Sequence, residues 1–273
     1  MKKILSLALI VCLAFSVFAS CAKEEDRTLI LATTTSTENS GLLADILPVF
    51  EEETGIEVDV IAIGTGAALQ KGRDGEADVL LVHAKTSEEE FVAEGHGTKR
   101  SDVMYNDFVI VGPTSDPAGL KDIKNDVSLA YEALLNGSFT FISRGDDSGT
   151  HKKEKSIWAN SSLEPAGDWY VQAGKGMGDT LTMASEMEAY TMTDRATYLS
   201  MKDNLDLEIV IEGDSILFNQ YGVIPVNPEK NDLINSDEAE EFVEWLLKDE
   251  TQALIGKFGI EKFGQPLFIP NAK

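Results

Sequence analysis

From residue 28 onward, short apolar runs alternate with stretches whose apolar residues recur at three- and four-residue spacing. Residues 28–34 (TLILATT) read as a buried strand, and 39–53 carry the helical spacing and stop at Thr54-Gly55. Residues 56–63 read as a strand, 65–71 as a short helix and 78–82 as a strand. The repeated β–loop–α order predicts an α/β domain with a mostly parallel sheet.

Residues 103–113 (VMYNDFVIVGP) form an extended run closed by a turn, and a new set of units follows. A helix is expected near 120–135, a strand over 139–142 and a helix over 148–160, with further units through residue 211. A second extended run, 216–225 (ILFNQYGVIP), precedes two amphipathic helices over 236–248 and 251–258. Two extended runs flanking a middle block predict two hinge crossings. One lobe is then expected from residues 28–112 and 222–273, and the other from 113–221. No internal repeat or low-complexity stretch interrupts this order.

The first twenty residues differ from the rest. Lys2 and Lys3 precede an apolar stretch over 4–18, which reads as a secretory signal and is short for a membrane span. It ends in Phe18-Ala19-Ser20-Cys21, which resembles a lipobox, with Phe18 in place of the usual Leu. Acylation of Cys21 would make residues 1–20 a lipoprotein signal peptide and 21–27 a linker; the alternative is an ordinary signal peptide that happens to hold a cysteine. Cys12 leaves with the signal, so neither a disulfide nor a thiolate metal site is expected.

The formal net charge is −24, and cleavage after residue 20 removes two lysines to leave about −26. A surface of that sign argues against nucleic acid as a partner. It would also repel a small anion, so an anion site needs local positive potential.

Three polar segments stand where strands give way to helices, the position at which open α/β sheets bind ligands. Thr33-Thr34-Thr35-Ser36-Thr37 supplies more hydroxyls than a helix cap requires. Gly64-Thr65-Gly66 is a weaker copy. Ser143-Arg144-Gly145-Asp146-Asp147-Ser148-Gly149-Thr150-His151 joins a guanidinium fork to the hydroxyls and N–H groups of a helix start, the makings of an anion trap. The plainer alternative has Asp147 or Ser148 capping the helix and Arg144 paired with Asp146.

Other chemistries fit less well. Asp147-Ser148-Gly149-Thr150 matches an aspartic-protease signature, but no second copy occurs. Ser148 and His151 are poorly spaced as nucleophile and base, and there is no G-x-S-x-G elbow. Gly174-Lys175-Gly176-Met177-Gly178-Asp179-Thr180 lacks P-loop spacing, leaving a plain connection or a contribution from Thr180. His83, His96 and His151 are dispersed, so no metal site and no cofactor are expected; His83 could face a cleft as a donor.

Together LATTTSTENSGLLADILPVFEEETG, AIGTGAALQKGRDGEADVLLVHA, SRGDDSGTHKKE and GMGDTL resemble the tungstate-binding components of bacterial ABC importers. The resemblance runs from about residue 28 to residue 270. It extends more distantly to phosphate-binding proteins through Arg144 and Ser148-Gly149-Thr150. It implies a type II periplasmic-binding-protein fold, with two doubly wound lobes closing on an oxyanion. It assigns anion contacts to Thr35, Ser36, Thr65, Arg144, Ser148, Gly149 and Thr150, and more loosely to Thr34 and Thr180. The implied partners are tungstate, an ABC permease and, through Cys21, the membrane. A non-enzymatic, extracytoplasmic monomer is expected.

Phosphate near neutral pH keeps a proton and is best met by a carboxylate acceptor, which would repel unprotonated tungstate, molybdate or sulfate. In DVLLVHAK the corresponding place holds Val82, His83 and Ala84, which favours an unprotonated dianion; Asp146 and Asp147 remain as candidate acceptors. Phosphate or molybdate binding on the same fold is the alternative, and a secreted hydrolase the remote one.

Overall fold

The computed structural model describes residues 27–146 and 148–272; the expected signal peptide, Cys21 and Asp147 lie outside the described residues. Its strands are β1 (Thr28–Thr34), β2 (Glu57–Ile63), β3 (Val79–Val82), β4 (Ser101–Pro113), β5 (Phe141–Ser143), β6 (Tyr170–Gln172), β7 (Tyr190–Asp194), β8 (Leu207–Ile211), β9 (Phe218–Pro225) and β10 (Ile269–Pro270). They follow the order β2-β1-β3-β9-β4-β7-β5-β6, with β8 and β10 also pairing with β4.

The sheet is mixed, where a mostly parallel one was expected. β1 runs parallel to β2 and β3, and β5 to β6 and β7. β9 re-enters the first half of the sheet against the direction of β3 and β4, so its pairings are antiparallel. β4 is the long member. Its Ser101–Asp107 portion pairs with β9, whereas Phe108 to Pro113 pairs with β7 and β8.

Helix boundaries follow local backbone chemistry. The hydroxyl run does not lie in a loop: Thr35–Ser40 is a short helix, and Gly41, at φ 84°, separates it from the helix Leu42–Thr54. Glycine adopts that left-handed turn without a Cβ clash. Leu42, Leu43, Ile46, Leu47 and Phe50 form the buried stripe of the second helix. Pro48 sits on its exposed side, where water can meet the carbonyl left unpaired. The helix expected near 120–135 divides into a 3-10 turn, Leu120–Ile123, and the helix Val127–Gly137. Lys124 and Asn125 have φ 51° and 63°, a conformation that cannot continue a right-handed helix. Lys85–Ala93 is a helix that the apolar pattern did not reveal.

The buried apolar residues form three groups. One lies within 108–217 and packs Trp158 against Tyr131 and Phe141. Another gathers Ala32, Leu80, Phe91 and Ile224. The largest runs along β4 and joins Leu29, Phe50 and Trp245 to Leu181 and Tyr198. Asp78 is buried among them and uses its carboxylate to accept from the N–H groups of Ile30 and Asn235, tying β1 to the C-terminal helices.

Candidate oxyanion site

The register of β1 with β2 and β3 pairs Thr34 with Ile63 and Thr33 with Leu81. Thr34–Ser36, Gly64-Thr65 and His83 therefore emerge side by side from the carboxyl ends of parallel strands. Thr34 caps the short helix, its hydroxyl accepting from Thr37 N–H at 3.2 Å. Thr34 is buried, Thr35 and Ser36 are exposed, and Thr65 is half-buried at the start of the helix Thr65–Asp74. His83 Nε2 lies 3.0 Å from Thr34 Oγ1 and 3.2 Å from Ser36 Oγ. Burial holds its imidazole below the ordinary histidine range, although the contact with Asn219 acts in the opposite sense.

A second group stands at the carboxyl end of β5. Ser143 ends the strand, and Arg144 follows with its carbonyl accepting from Gly174 N–H at 2.8 Å. Ser148 caps the helix Gly149–Asn160, accepting from His151 N–H at 3.3 Å. Arg144 is paired with Asp146, whose other oxygen accepts from Ser148 N–H at 3.1 Å. The plainer pairing and capping thus coexist with a helix start open to a ligand: Gly149 is exposed and Ser148 half-buried, while Thr150 is buried in the first turn. The Arg144 Nε donor is buried with no hydrogen-bond partner among the described residues. Partial burial works to raise the Asp146 pKa, but hydrogen bonds from Ser148 and the Arg144 charge hold it below the usual carboxylate range.

Both groups reach β9 at adjacent residues. His83 Nδ1 meets Asn219 Oδ1 at 3.1 Å, and Lys153 Nζ, one turn beyond Thr150, meets the Phe218 carbonyl at 3.4 Å. Burial lowers the Lys153 pKa, with Asp214 opposing. Lys153 is a cation that motif reading missed; the Lys152-Lys153 pair after His151 was its only trace. Arg195 was missed too. It follows β7 and grips Asp107 of β4 through two nitrogens, with Nε to Oδ1 at 2.8 Å.

Thr180 lies in the first turn of the helix Met177–Glu186. It is fully buried, and its hydroxyl donates to the Gly176 carbonyl at 2.9 Å, so that hydrogen serves its own helix. His96 stands apart from the site beside Lys230 and Glu94. Among the described residues, no group of three His, Cys, Asp or Glu could hold a metal ion, and no helix is long and apolar enough to cross a membrane.

Residues 22–250 match the PBP superfamily domain. The chain is 55% identical to the tungstate-binding protein TupA of Peptoclostridium acidaminophilum, over 100% of this chain and 99% of that protein. The solved structure of the tungstate-binding protein TupA from Desulfovibrio alaskensis G20 shares 48% identity at a TM-score of 0.85, covering 90% of this chain and 100% of that one. A tungstate ABC transporter structure from Geobacter sulfurreducens, also 48% identical, gives a TM-score of 0.71 over 85% and 98% of the two chains. With a type II periplasmic-binding-protein fold and this likeness over its full length, the chain belongs to the PBP superfamily and, within it, to the family of TupA tungstate-binding proteins.

Proposed function

We propose that this protein is the extracytoplasmic solute-binding component of an ABC importer and that its ligand is tungstate. It binds and delivers an oxyanion and performs no turnover, as its transport relatives suggest. The observation that carries the reading is Arg144: a guanidinium whose buried Nε has no partner among the described residues, beside the start of the helix Gly149–Asn160. In a chain near −26 the local positive potential has to come from such a group and from helix N-termini.

The ligand groups in this reading are Thr35, Ser36, Thr65, Arg144, Ser148, Gly149 and Thr150. Thr34 supports them from its buried position. Residues 28–112 with 222–273, and 113–221, are taken as the two lobes, with β4 and β9 as the crossings. Cys21 is taken as a lipid anchor holding a monomer beside its permease.

Calorimetry tests the reading. Tungstate, with molybdate close to it, should bind above sulfate and phosphate. Arg144→Ala should weaken tungstate binding by roughly one and a half to three and a half decades, the equivalent of about 2–5 kcal/mol for a truncated partner of a desolvated charge. Strongest binding of phosphate, or wild-type affinity in the variant, would reject the assignment. Cys21→Ala should release the folded protein from the membrane fraction; equal retention would reject the anchor.

A further inference from the structure

The first-lobe hydroxyls do not stand alone. Asn219 Nδ2 donates to Asn106 Oδ1 at 2.8 Å, which leaves Asn219 Oδ1 facing His83 Nδ1 at 3.1 Å. The neutral ring then carries its hydrogen on Nδ1 and offers Nε2 as an acceptor. Two hydroxyls, those of Thr34 and Ser36, lie within 3.0 and 3.2 Å of that nitrogen. They are also 3.0 Å from each other.

Hydrogen counting limits what these groups can do. Each hydroxyl has one hydrogen, and a neutral Nε2 lone pair takes one of the two. An imidazolium reverses the direction, because Nε2–H then donates to a hydroxyl oxygen and the hydrogen that Nε2 had held is freed; Thr34 Oγ1 also has Thr37 Oγ1 at 2.6 Å as a further hydroxyl partner. An oxyanion accepts only, so the second arrangement offers it more donors and a nearby positive charge.

We propose that His83 is a positioning residue of the oxyanion site, directing the Thr34 and Ser36 hydroxyl hydrogens, and that its protonation frees the hydrogen it had held for the bound anion. The inference rests on the binding reading above. Its reach extends further, because Asn219 lies on β9 and Asn106 on β4, so the ring joins the hydroxyl run to both of these long strands.

The ring's surroundings define its titration. Tyr221 packs against it from β9 with ring centroids 4.8 Å apart, and burial keeps that phenol above its ordinary range and neutral. Thr34 and Ser36 face it from β1 and the short helix, and Asn219 from β9. Glu88, paired with Arg100, reaches the residue after His83 through the Ala84 N–H, which donates to it. Burial keeps the ring neutral in the free protein at pH 7, and a dianion beside it favours the charged form. Binding and proton uptake are then linked: each promotes the other.

The test uses micromolar sodium tungstate with the mature protein and with His83→Gln, whose amide can donate to Asn219 and accept from a hydroxyl but cannot become charged. Wild type should bind about tenfold tighter at pH 5.5 than at pH 8, the scale of one charge-assisted hydrogen bond. Calorimetry at pH 6.5 in buffers of different ionisation enthalpy should register proton uptake on binding. H83Q should show no proton uptake on binding and no gain in affinity between pH 8 and pH 5.5. Glu88 titrates in both proteins, so their difference isolates the ring. Should H83Q fail to fold, the imidazole resonances of His83 in wild type decide: a pKa that rises on tungstate addition supports the proposal, and an unchanged one overturns it. Proton uptake persisting in H83Q would also overturn it. Absence of tungstate binding by wild type at any pH would instead remove the binding reading, and this inference with it.

Discussion

Glu88 Oε2 lies 2.7 Å from Arg100 Nε, and the Glu88 side chain is fully buried. Its other oxygen accepts from Ala84 N–H, so the pair clamps the turn that carries His83 to the start of β4. Burial pushes the Glu88 carboxyl up to about 7, outweighing the Arg100 charge and the Ala84 N–H. Relative to an unfolded value near 4.5, the folded chain holds an extra proton across that interval. Stability is therefore greatest below the interval and declines as pH rises through about 7, by on the order of 1–3 kcal/mol. Glu88→Gln, which imitates the protonated form, should flatten that decline in urea titrations between pH 5 and 8. An unchanged slope would assign it elsewhere.

Gly222 on β9 lies against the same pair. A Cβ there would stand 2.3 Å from Glu88 Oε2 and 2.8 Å from Arg100 Nε. Those side-chain ends are held by each other and, for Arg100, by Asp102 as well, so they cannot swing aside freely. Gly222→Ala should cost about 1–3 kcal/mol, as overpacking does, and lower the melting temperature. A melting temperature equal to wild type would mean the pair can relocate.

The strands and the helix start that follows Arg144 were legible because their signals are local. Residues 28–34 declare a buried strand by composition, and Arg144 with Ser148-Gly149-Thr150 stands within seven residues of chain. The helix Lys85–Ala93 was not legible, since only Glu88 and Phe91 are buried along it and one of those is charged. His83 could be named as a donor but not given partners. Asn219 is 136 residues away, and Asn106 is 113 from Asn219. Periodicity reports which face of an element is buried; it does not report which distant side chain meets it. Sequence left Thr180 open because a hydroxyl in the first turn of a helix looks the same whether it faces outward or bonds back to its own turn, as this one does with Gly176.

Glu154 connects the core to the segment that carries Arg144. It is buried and accepts from Ser143 Oγ at 2.7 Å, Trp158 Nε1 at 3.2 Å and Tyr170 Oη at 2.6 Å. Burial raises its pKa, and the three donors oppose that shift. Ser143 immediately precedes Arg144, so losing this acceptor loosens the backbone that aims the guanidinium. Glu154→Leu strands two buried donors and the half-buried Tyr170 hydroxyl, and should destabilise the fold by about 3 kcal/mol or more. At temperatures where the variant is folded, tungstate affinity should fall, but less than in Arg144→Ala. A larger fall than in Arg144→Ala would place Glu154 nearer the ligand than Arg144.

Asp146 occupies donors that an oxyanion would use, binding Arg144 through one oxygen and Ser148 N–H through the other. It is ionised throughout the neutral range, because the Ser148 hydrogen bonds and the Arg144 charge outweigh its partial burial. An incoming tungstate dianion must therefore approach a fixed negative charge and share the guanidinium with it. Asp146→Asn keeps a carbonyl oxygen for Ser148 N–H while removing the charge. The loss of repulsion should exceed the loss of Arg144 orientation, since a dianion doubles the Coulomb term at short range. Tungstate should bind about tenfold tighter, or about 1.4 kcal/mol. Hydrogen phosphate can donate its proton to the Asp146 carboxylate and loses that acceptor in the variant, so its affinity should rise less. The tungstate-to-phosphate ratio measured by calorimetry then increases in Asp146→Asn. A weaker tungstate complex in that variant would show that Asp146 serves chiefly to hold Arg144 in place, and that the guanidinium is aimed by its carboxylate neighbour rather than screened by it.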